Sequence, residues 1–251
     1  MSNTMEKLRA LPLPTMPLTI EQKLRVPGGI TPTVFEQKND VLKDPSLQTE
    51  VGYTKLPNGD WLVAMTCPMP DVTPEMVDWW FWWHAQKSER YRLWFPGEHY
   101  AVSYAKKDRP YFTAPTRPPF RANTHFPVEK IGALVLPLRI DFVSPEDFGF
   151  SRQAMDENGI ARIVCGHVGA MYGLVRHTEM AHILKQDGDG YVLISRFWLG
   201  KTLKNPVIRK AMLTAKTAMG MAEHCCLEYR RLAQILPALY EQYTNGQAVF
   251  G

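Results

Sequence analysis

The last segment of the chain constrains the fold most. From Pro206 it reads PVIRKAMLTAKTAMGMAEHCCLEYRRLAQILPALYEQY, in which Met212, Ala215, Met219, Ala222, Cys226 and Tyr229 recur at steps of three and four residues. That spacing predicts one long amphipathic helix, opened by a proline whose missing N–H is no loss at the first helical position. Such a helix needs an extended apolar surface to cover its stripe.

Strand-like runs upstream supply that surface. VGYTKL and WLVAMTC flank the turn PNGD, and further on come KIGALVLPLRIDFV, ARIVCGHVGAM, GLVRHTEMAHILK and GYVLISRFWLG, with DENG and DGDG as turns. Between the two groups, Thr73-Pro74-Glu75 supplies a helix cap, a proline at the first position and an early carboxylate. The helix they open is predicted to run through MVDWWFWWHAQKSERYRLW. Its five consecutive aromatics, Trp79 to Trp83, cover every side of a helix, which favours a buried core plug or subunit interface over ligand stacking. The order of hairpin, helices, antiparallel strands and closing helix predicts an α+β chain of the helix-grip (START/allergen-like) kind. In that architecture a curved antiparallel sheet wraps the C-terminal helix and leaves a cavity between them. Residues 1–50 are Pro-rich and lightly patterned and read as an extended arm, leaving 51–251 as the helix-grip domain.

Composition narrows the partners. Of 251 residues, 45% are hydrophobic and 22% charged, as in ordinary globular proteins. The net charge of +4 is spread over isolated residues and pairs such as Lys106-Lys107, which argues against a nucleic-acid track. No apolar run approaches the ~20 residues of a membrane helix, and the first residues lack the apolar core of a signal peptide. The four cysteines have no C-x-x-C spacing, so a reduced, cytoplasmic protein is expected. Any metal would then depend on histidines and carboxylates.

His224 and Glu228 stand one helical turn apart in the closing helix and project from one face. Taken alone, such a pair is ordinarily a satisfied surface contact, or else half of a metal site. Of the other histidines, His84 reads as the polar exit of the tryptophan helix, and His99 follows a Pro-Gly break that can turn a side chain into a cavity. His125 and Glu129, four apart in an extended run, share one face. His167, between glycines in an apolar strand, is either hydrogen-bonded structure or a substrate contact. His177 and His182 have opposite parity, so one of the two is expected to face inward. No phosphate loop, dinucleotide fingerprint or nucleophile elbow is present.

Taken in order, RYRLWFPGEH, VEKIGALVLPLRIDFVSPEDFG, AHILKQDGDGYVLISRFWLG and AEHCCLEY resemble the diacetylphloroglucinol hydrolase and phloretin hydrolase family. The resemblance implies a zinc enzyme that hydrolyses a carbon–carbon bond between an acyl group and a phenolic ring. It implies His99, Glu129, His224 and Glu228 as the metal ligands. Tyr91, eight positions before the first ligand, is implied as a catalytic and substrate-binding residue, as is His167. Val102 stands where the family has an asparagine, and His182 where a second substrate tyrosine falls, so the groups that orient the substrate are altered. The expected substrate is a small acylated phenol, β-diketone or polyketide, and the expected assembly a homodimer. A non-catalytic carrier of a small aromatic ligand, and a polyketide cyclase or isomerase on the same scaffold, are the alternatives.

Overall fold

In a computed structural model, residues 3–244 are described; residues 1–2 of the expected arm and 245–251 of the expected catalytic domain lie outside them. Short helices lead in: α1 (Asn3–Ala10), α2 (Leu18–Leu24), α3 (Asp40–Lys43) and α4 (Pro45–Gln48). A hairpin of β1 (Gly52–Lys55) and β2 (Trp61–Met69) precedes α5 (Pro74–Trp83) and α6 (Ser88–Trp94). Then come β3 (His99–Tyr104), α7 (Arg109–Phe112), β4 (Asn123–Ile131), β5 (Leu134–Val143), α8 (Pro145–Phe148) and α9 (Arg152–Glu157). The chain closes with β6 (Ile160–Ala170), β7 (Val175–Asp187), β8 (Gly190–Leu199), α10 (Pro206–Met212) and α11 (Ala215–Thr244).

The strands form one eight-stranded antiparallel sheet in the order β1-β2-β8-β7-β6-β5-β4-β3, against which α11 packs, so the fold is α+β. Strand alternation divides the apolar side chains between two cores. Val63 and Met65 join the core under α11 with Ala222, Leu232 and Leu236. Leu62 and Ala64 join a second core on the other face, closed by Val41, Leu42, Phe148 and Met155. Residues before β1 serve both: Met5, Leu8 and Leu24 enter the first core, and Ile30, Val41 and Leu47 the second. Among the described residues no helix is long and apolar enough to cross a membrane.

Three predicted boundaries differ from the observed ones. The closing helix begins at Ala215, because Pro206 opens the separate α10, capped by Asn205. Leu213 leaves helical geometry (φ −89°, ψ 74°), and Thr214 starts afresh by accepting from the Thr217 amide at 3.1 Å. The tryptophan helix ends at Trp83, followed by a 3-10 turn and an extended Lys87 (φ −148°, ψ 129°) before α6. The run KIGALVLPLRIDFV is a hairpin, bent at Gly132 in the left-handed region (φ +61°).

Candidate metal centre

The centre is assembled where β3, β4 and α11 meet. A Pro96-Gly97 turn, with Gly97 at φ +87°, delivers His99 to the first position of β3, where it pairs across the ladder with Glu129 of β4. The thirty-residue separation in sequence is thus a cross-strand contact in space. From the opposite side, α11 presents His224 and Glu228 one turn apart.

Their polar atoms converge. His99 Nε2 lies 3.4 Å from His224 Nε2, 3.6 Å from a Glu129 carboxylate oxygen and 3.5 Å from one of Glu228. His224 Nε2 is 3.7 Å from the same Glu228 oxygen. His99, Glu129 and His224 each offer a ligand atom within 4.8 Å of one another. The Tyr91 backbone carbonyl, 3.3 Å from His99 Nδ1, fixes the proton there and leaves Nε2 with a lone pair toward the cluster. The same ring stacks on Tyr91 (4.1 Å between centroids, 3° between planes) and meets the edge of Trp94 at 5.0 Å. The Trp94 indole donates to the Glu228 backbone carbonyl at 2.8 Å, tying α6 to α11. Ser88 holds the other end of α6 to β3, donating to the Val102 carbonyl at 3.1 Å and accepting from its amide at 3.0 Å.

All four groups are buried, and burial sets their charge. It drives His99 well below the usual imidazole range, helped by the facing His224, which burial itself holds down at about 4. It pushes Glu129 up to about 7 against the opposing pull of a hydrogen bond from Tyr91. Glu228 is raised well above the carboxylate range by burial and by Glu129. The Tyr91 hydroxyl donates a short hydrogen bond to the Glu129 carboxylate and is itself raised by burial and by that carboxylate, so it keeps its proton.

Beside the cluster lies a cavity of about 590 Å³, lined mainly by apolar and aromatic side chains of β4–β8, α5 and α11. Tyr91, Val102 and His182 line it together with Glu129, His224 and Glu228. His182 accepts or donates a 2.8 Å bond with the Ser195 hydroxyl and packs 4.6 Å from the Tyr229 ring. His125 and Glu129 both face inward, in keeping with their even spacing.

Two readings are corrected. His167 does not reach the cavity. Its neighbour Val168 points in, so alternation turns His167 to the outer face, where it bonds the Glu179 carboxylate at 2.5 Å and packs on Phe148. His177 and His182, of opposite parity, both line the cavity. The cause is a bulge: Val168 pairs with Thr178 but Gly169 with Arg176, leaving His177 as the extra residue, and the parity changes there. Sequence reasoning also missed His84, which is a buried cavity residue whose Nδ1 lies 2.7 Å from the Trp80 carbonyl. Its i, i−4 relation to Trp80 was the available signal. Of the aromatic run, Trp79, Trp80, Trp82 and Trp83 are buried and Phe81 lines the cavity.

An apolar chamber with convergent, strongly perturbed acid and imidazole groups on its wall is the anatomy of an enzyme. The family model described as the DAPG hydrolase PhiG domain matches residues 32–241, and the chain belongs to that family of hydrolases. A 2,4-diacetylphloroglucinol hydrolase of Pseudomonas protegens is 30% identical over 244 residues, spanning 85% of this chain and 75% of that protein. The phloretin hydrolase of Eubacterium ramulus is 30% identical over 220 residues, spanning 83% of this chain and 78% of the relative.

Proposed function

We propose that the chain is a zinc-dependent hydrolase of helix-grip architecture that cleaves the carbon–carbon bond between an acyl group and a phenolic ring or β-diketone, in the retro-Claisen sense. The observation that carries the reading is the convergence of His99, Glu129, His224 and Glu228 at the cavity wall. Their chemistry fits a divalent ion. Two imidazoles held neutral offer lone pairs, and two buried carboxylates share a cavity lining whose lysine among the described residues, Lys216, is exposed. The cysteines are free and buried, and burial pushes the Cys67 thiol up to about 12, which suits them poorly as ligands. Bound among these residues, zinc supplies Lewis acidity toward a carbonyl or phenol oxygen and acidifies water.

The chain's own groups do the rest. The apolar lining excludes bulk water and holds the aromatic ring of the substrate against the wall. The keto tautomer of the phenol makes the substrate a β-diketone; water adds to the acyl carbonyl and gives up a proton that restores the proton donor at the end of the cycle, the bond to the ring breaks to release the carboxylic acid, and the electron pair passes into the ring as an enolate. Tyr91, protonated at Oη beside Glu129, is placed to return a proton to that enolate, which relaxes to the phenol. His167, on the outer face, takes no part in this role.

The test is metal analysis joined to product analysis. The purified protein is expected to hold about one zinc per chain and to release a short carboxylic acid from an acyl phloroglucinol. Glu129→Ala lowers zinc and activity together, while His125→Ala, on the same face, retains the metal. Zinc without carboxylate release from any acyl phenol or β-diketone would favour a cyclase or isomerase, and neither metal nor turnover would favour a carrier.

A further inference from the structure

A second cavity, of about 390 Å³, lies behind the first, between α5, α7, segment 113–122, α9 and β6. Phe81, His125 and Phe142 line both, so a partition one side chain thick separates the two. Its rings lie edge to face (Phe81 to Phe142 at 5.6 Å, His125 to Phe142 at 4.7 Å), and the two phenylalanines can turn aside without breaking a hydrogen bond. The cavities differ in charge. The first carries Glu129 and Glu228, whereas the lining of the second holds three guanidinium groups, Arg117, Arg152 and Arg162, against one carboxylate, Asp78, among the described residues. Arg152 stands exposed and is balanced by Glu146 and Asp156 at 3.7 and 3.8 Å. Arg162 and Arg117 instead share Asp78, at 2.9 and 3.6 Å. Arg117 also meets Tyr111, whose hydroxyl burial keeps neutral, and donates to the Pro118 carbonyl at 3.2 Å. It is only 7% exposed, and a guanidinium taken out of water is costly unless negative charge faces it. Two cations on one carboxylate leave this cavity with a positive surplus. Around it the walls are aromatic: Trp82 and Tyr111, joined by the indole's 2.9 Å bond to the Tyr111 carbonyl, with Phe120 exposed at the rim.

Resting on the hydrolase reading above, we infer that the second cavity binds a monocarboxylate with a short apolar tail, and that its occupant is the acid cut from the substrate in the first. The residue types suit that ligand. A guanidinium fork matches the two oxygens of a carboxylate, and aromatic walls take the tail. Hydrolysis creates a carboxylate in a chamber that offers it an apolar wall and two carboxyl groups, while the guanidinium groups stand one partition away. The two products then part by polarity: the phenol keeps to the apolar chamber and the acid passes to the cationic one. A carboxylate arriving from solvent past Phe120 meets the same chemistry, so the experiment separates the two sources.

Calorimetric Kd values are measured for butyrate and its neutral isostere butyramide on the purified wild type, Arg162→Gln, Arg162→Lys and Ala161→Phe. Arg162 is exposed, so its loss spares the core, and the added ring at position 161 fills the cavity from β6. Arg162→Gln and Ala161→Phe are each expected to bind butyrate ~10-fold more weakly, with Arg162→Lys between them and wild type. Butyramide should bind wild type ~10-fold more weakly than butyrate and be indifferent to Arg162→Gln. Butyrate affinity unchanged in both variants, which would place the bound acid at the metal centre, or equal affinity for the two probes overturns the inference. Product inhibition separates the sources. Butyrate added during hydrolysis of an acyl phloroglucinol is expected to lower kcat with KM unchanged, and to lose this effect in Arg162→Gln. Butyrate that binds the cavity without lowering kcat overturns the assignment to the cleaved acid. Butyrate binding weakened in both variants, without carboxylate release from any acyl phenol, removes the reaction assigned above and leaves the carboxylate site standing; hydrolysis without such a site removes only this inference.

Discussion

Gly220 of α11 packs backbone to backbone on Gly132 of the β4–β5 turn: a Cβ added to Gly220 would stand 3.1 Å from the Gly132 Cα. This contact flanks the His–Glu cluster on both elements. Glu129 lies three residues before Gly132, and His224 one turn after Gly220. The absence of two side chains therefore sets how closely the hairpin carrying the carboxylate approaches the helix carrying the imidazole.

Gly220→Ala separates two effects of opposite sign. Within a helix, alanine is favoured over glycine by ~1 kcal/mol, so on propensity alone the variant gains stability. At Gly220 the added methyl meets the hairpin backbone, which must move by a few tenths of an ångström and carries Glu129 with it. The expected outcome is a Tm of the metal-free protein near or above wild type, with zinc affinity lowered ~10-fold, the scale of losing a group that orients a ligand. Competition against a chelator measures it, and an unchanged zinc Kd would refute the link between the glycine contact and the centre.

Tyr91→Phe keeps the ring stacked on His99 and removes only the hydroxyl that donates to Glu129. Zinc content should be retained, because the backbone carbonyl that orients His99 is unchanged. If Tyr91 is the proton donor, kcat falls ~10²–10⁴-fold, the usual worth of general acid–base catalysis. A fall of less than tenfold would assign proton return to another group.

The legibility of this site in the sequence was uneven, for physical reasons. His224 and Glu228 could be paired because helical spacing is local, and the shared face of His125 and Glu129 because strand parity is too. The approach of His99 to Glu129 depends on a ladder register set by turns far from both, and only the resemblance to known hydrolases linked them. His167 was misplaced because the sheet is buried on both faces, so apolar residues on either side of it carried no directional signal. The bulge at His177 defeated parity by inserting one residue. The break before α11 lay in an apolar run whose residues pack on the core from both sides of Leu213, so periodicity passed through it.

Six of the seven histidines are buried with imidazoles held below their usual range, among them His84 and His177 at about 4 and His182 at about 3, each through burial. The unfolded chain takes up these protons near pH ~6.5. Between there and pH 3–4 the unfolded histidines bind more protons than the folded ones, so their contribution is complete above about pH 6.5 and is lost as pH falls through that window, while buried Glu129 and Glu228, raised in the fold, act in the opposite sense. For His84 alone the contribution is at most about 3 kcal/mol. His84→Gln keeps a donor for the Trp80 carbonyl and removes the titration. Its acid unfolding midpoint, followed by circular dichroism on chelator-treated protein, should lie lower than wild type. An identical or higher midpoint would show that His84 is not part of the acid response.

The last prediction concerns the ring pocket of the reaction proposed here. Val102 and His182 line the cavity where the resemblance implies an asparagine and a tyrosine. Val102 offers a ring oxygen no hydrogen bond. His182 has its Nδ1 bonded to Ser195 and its ring packed on Tyr229 and Phe197, so it does not carry a hydroxyl to where a tyrosine would place one. A missing hydrogen bond to a buried polar group costs ~1–3 kcal/mol. 2,4-Diacetylphloroglucinol should accordingly be turned over ~10–100-fold less efficiently than an acyl aromatic that fits the pocket. Val102→Asn combined with His182→Tyr should recover part of that deficit in kcat/KM on this compound. The two substitutions are expected to act unequally. Val102 is anchored through its backbone to Ser88, so a polar side chain there leaves α6 and the centre in place. Replacing His182 frees the Ser195 hydroxyl and offsets some of the gain, so Val102→Asn alone should restore more than His182→Tyr alone. A wild-type kcat/KM on 2,4-diacetylphloroglucinol at or above that on every other acyl phenol tried would refute the pocket argument, and a double mutant slower than both single mutants would show that the two positions do not orient the same ring.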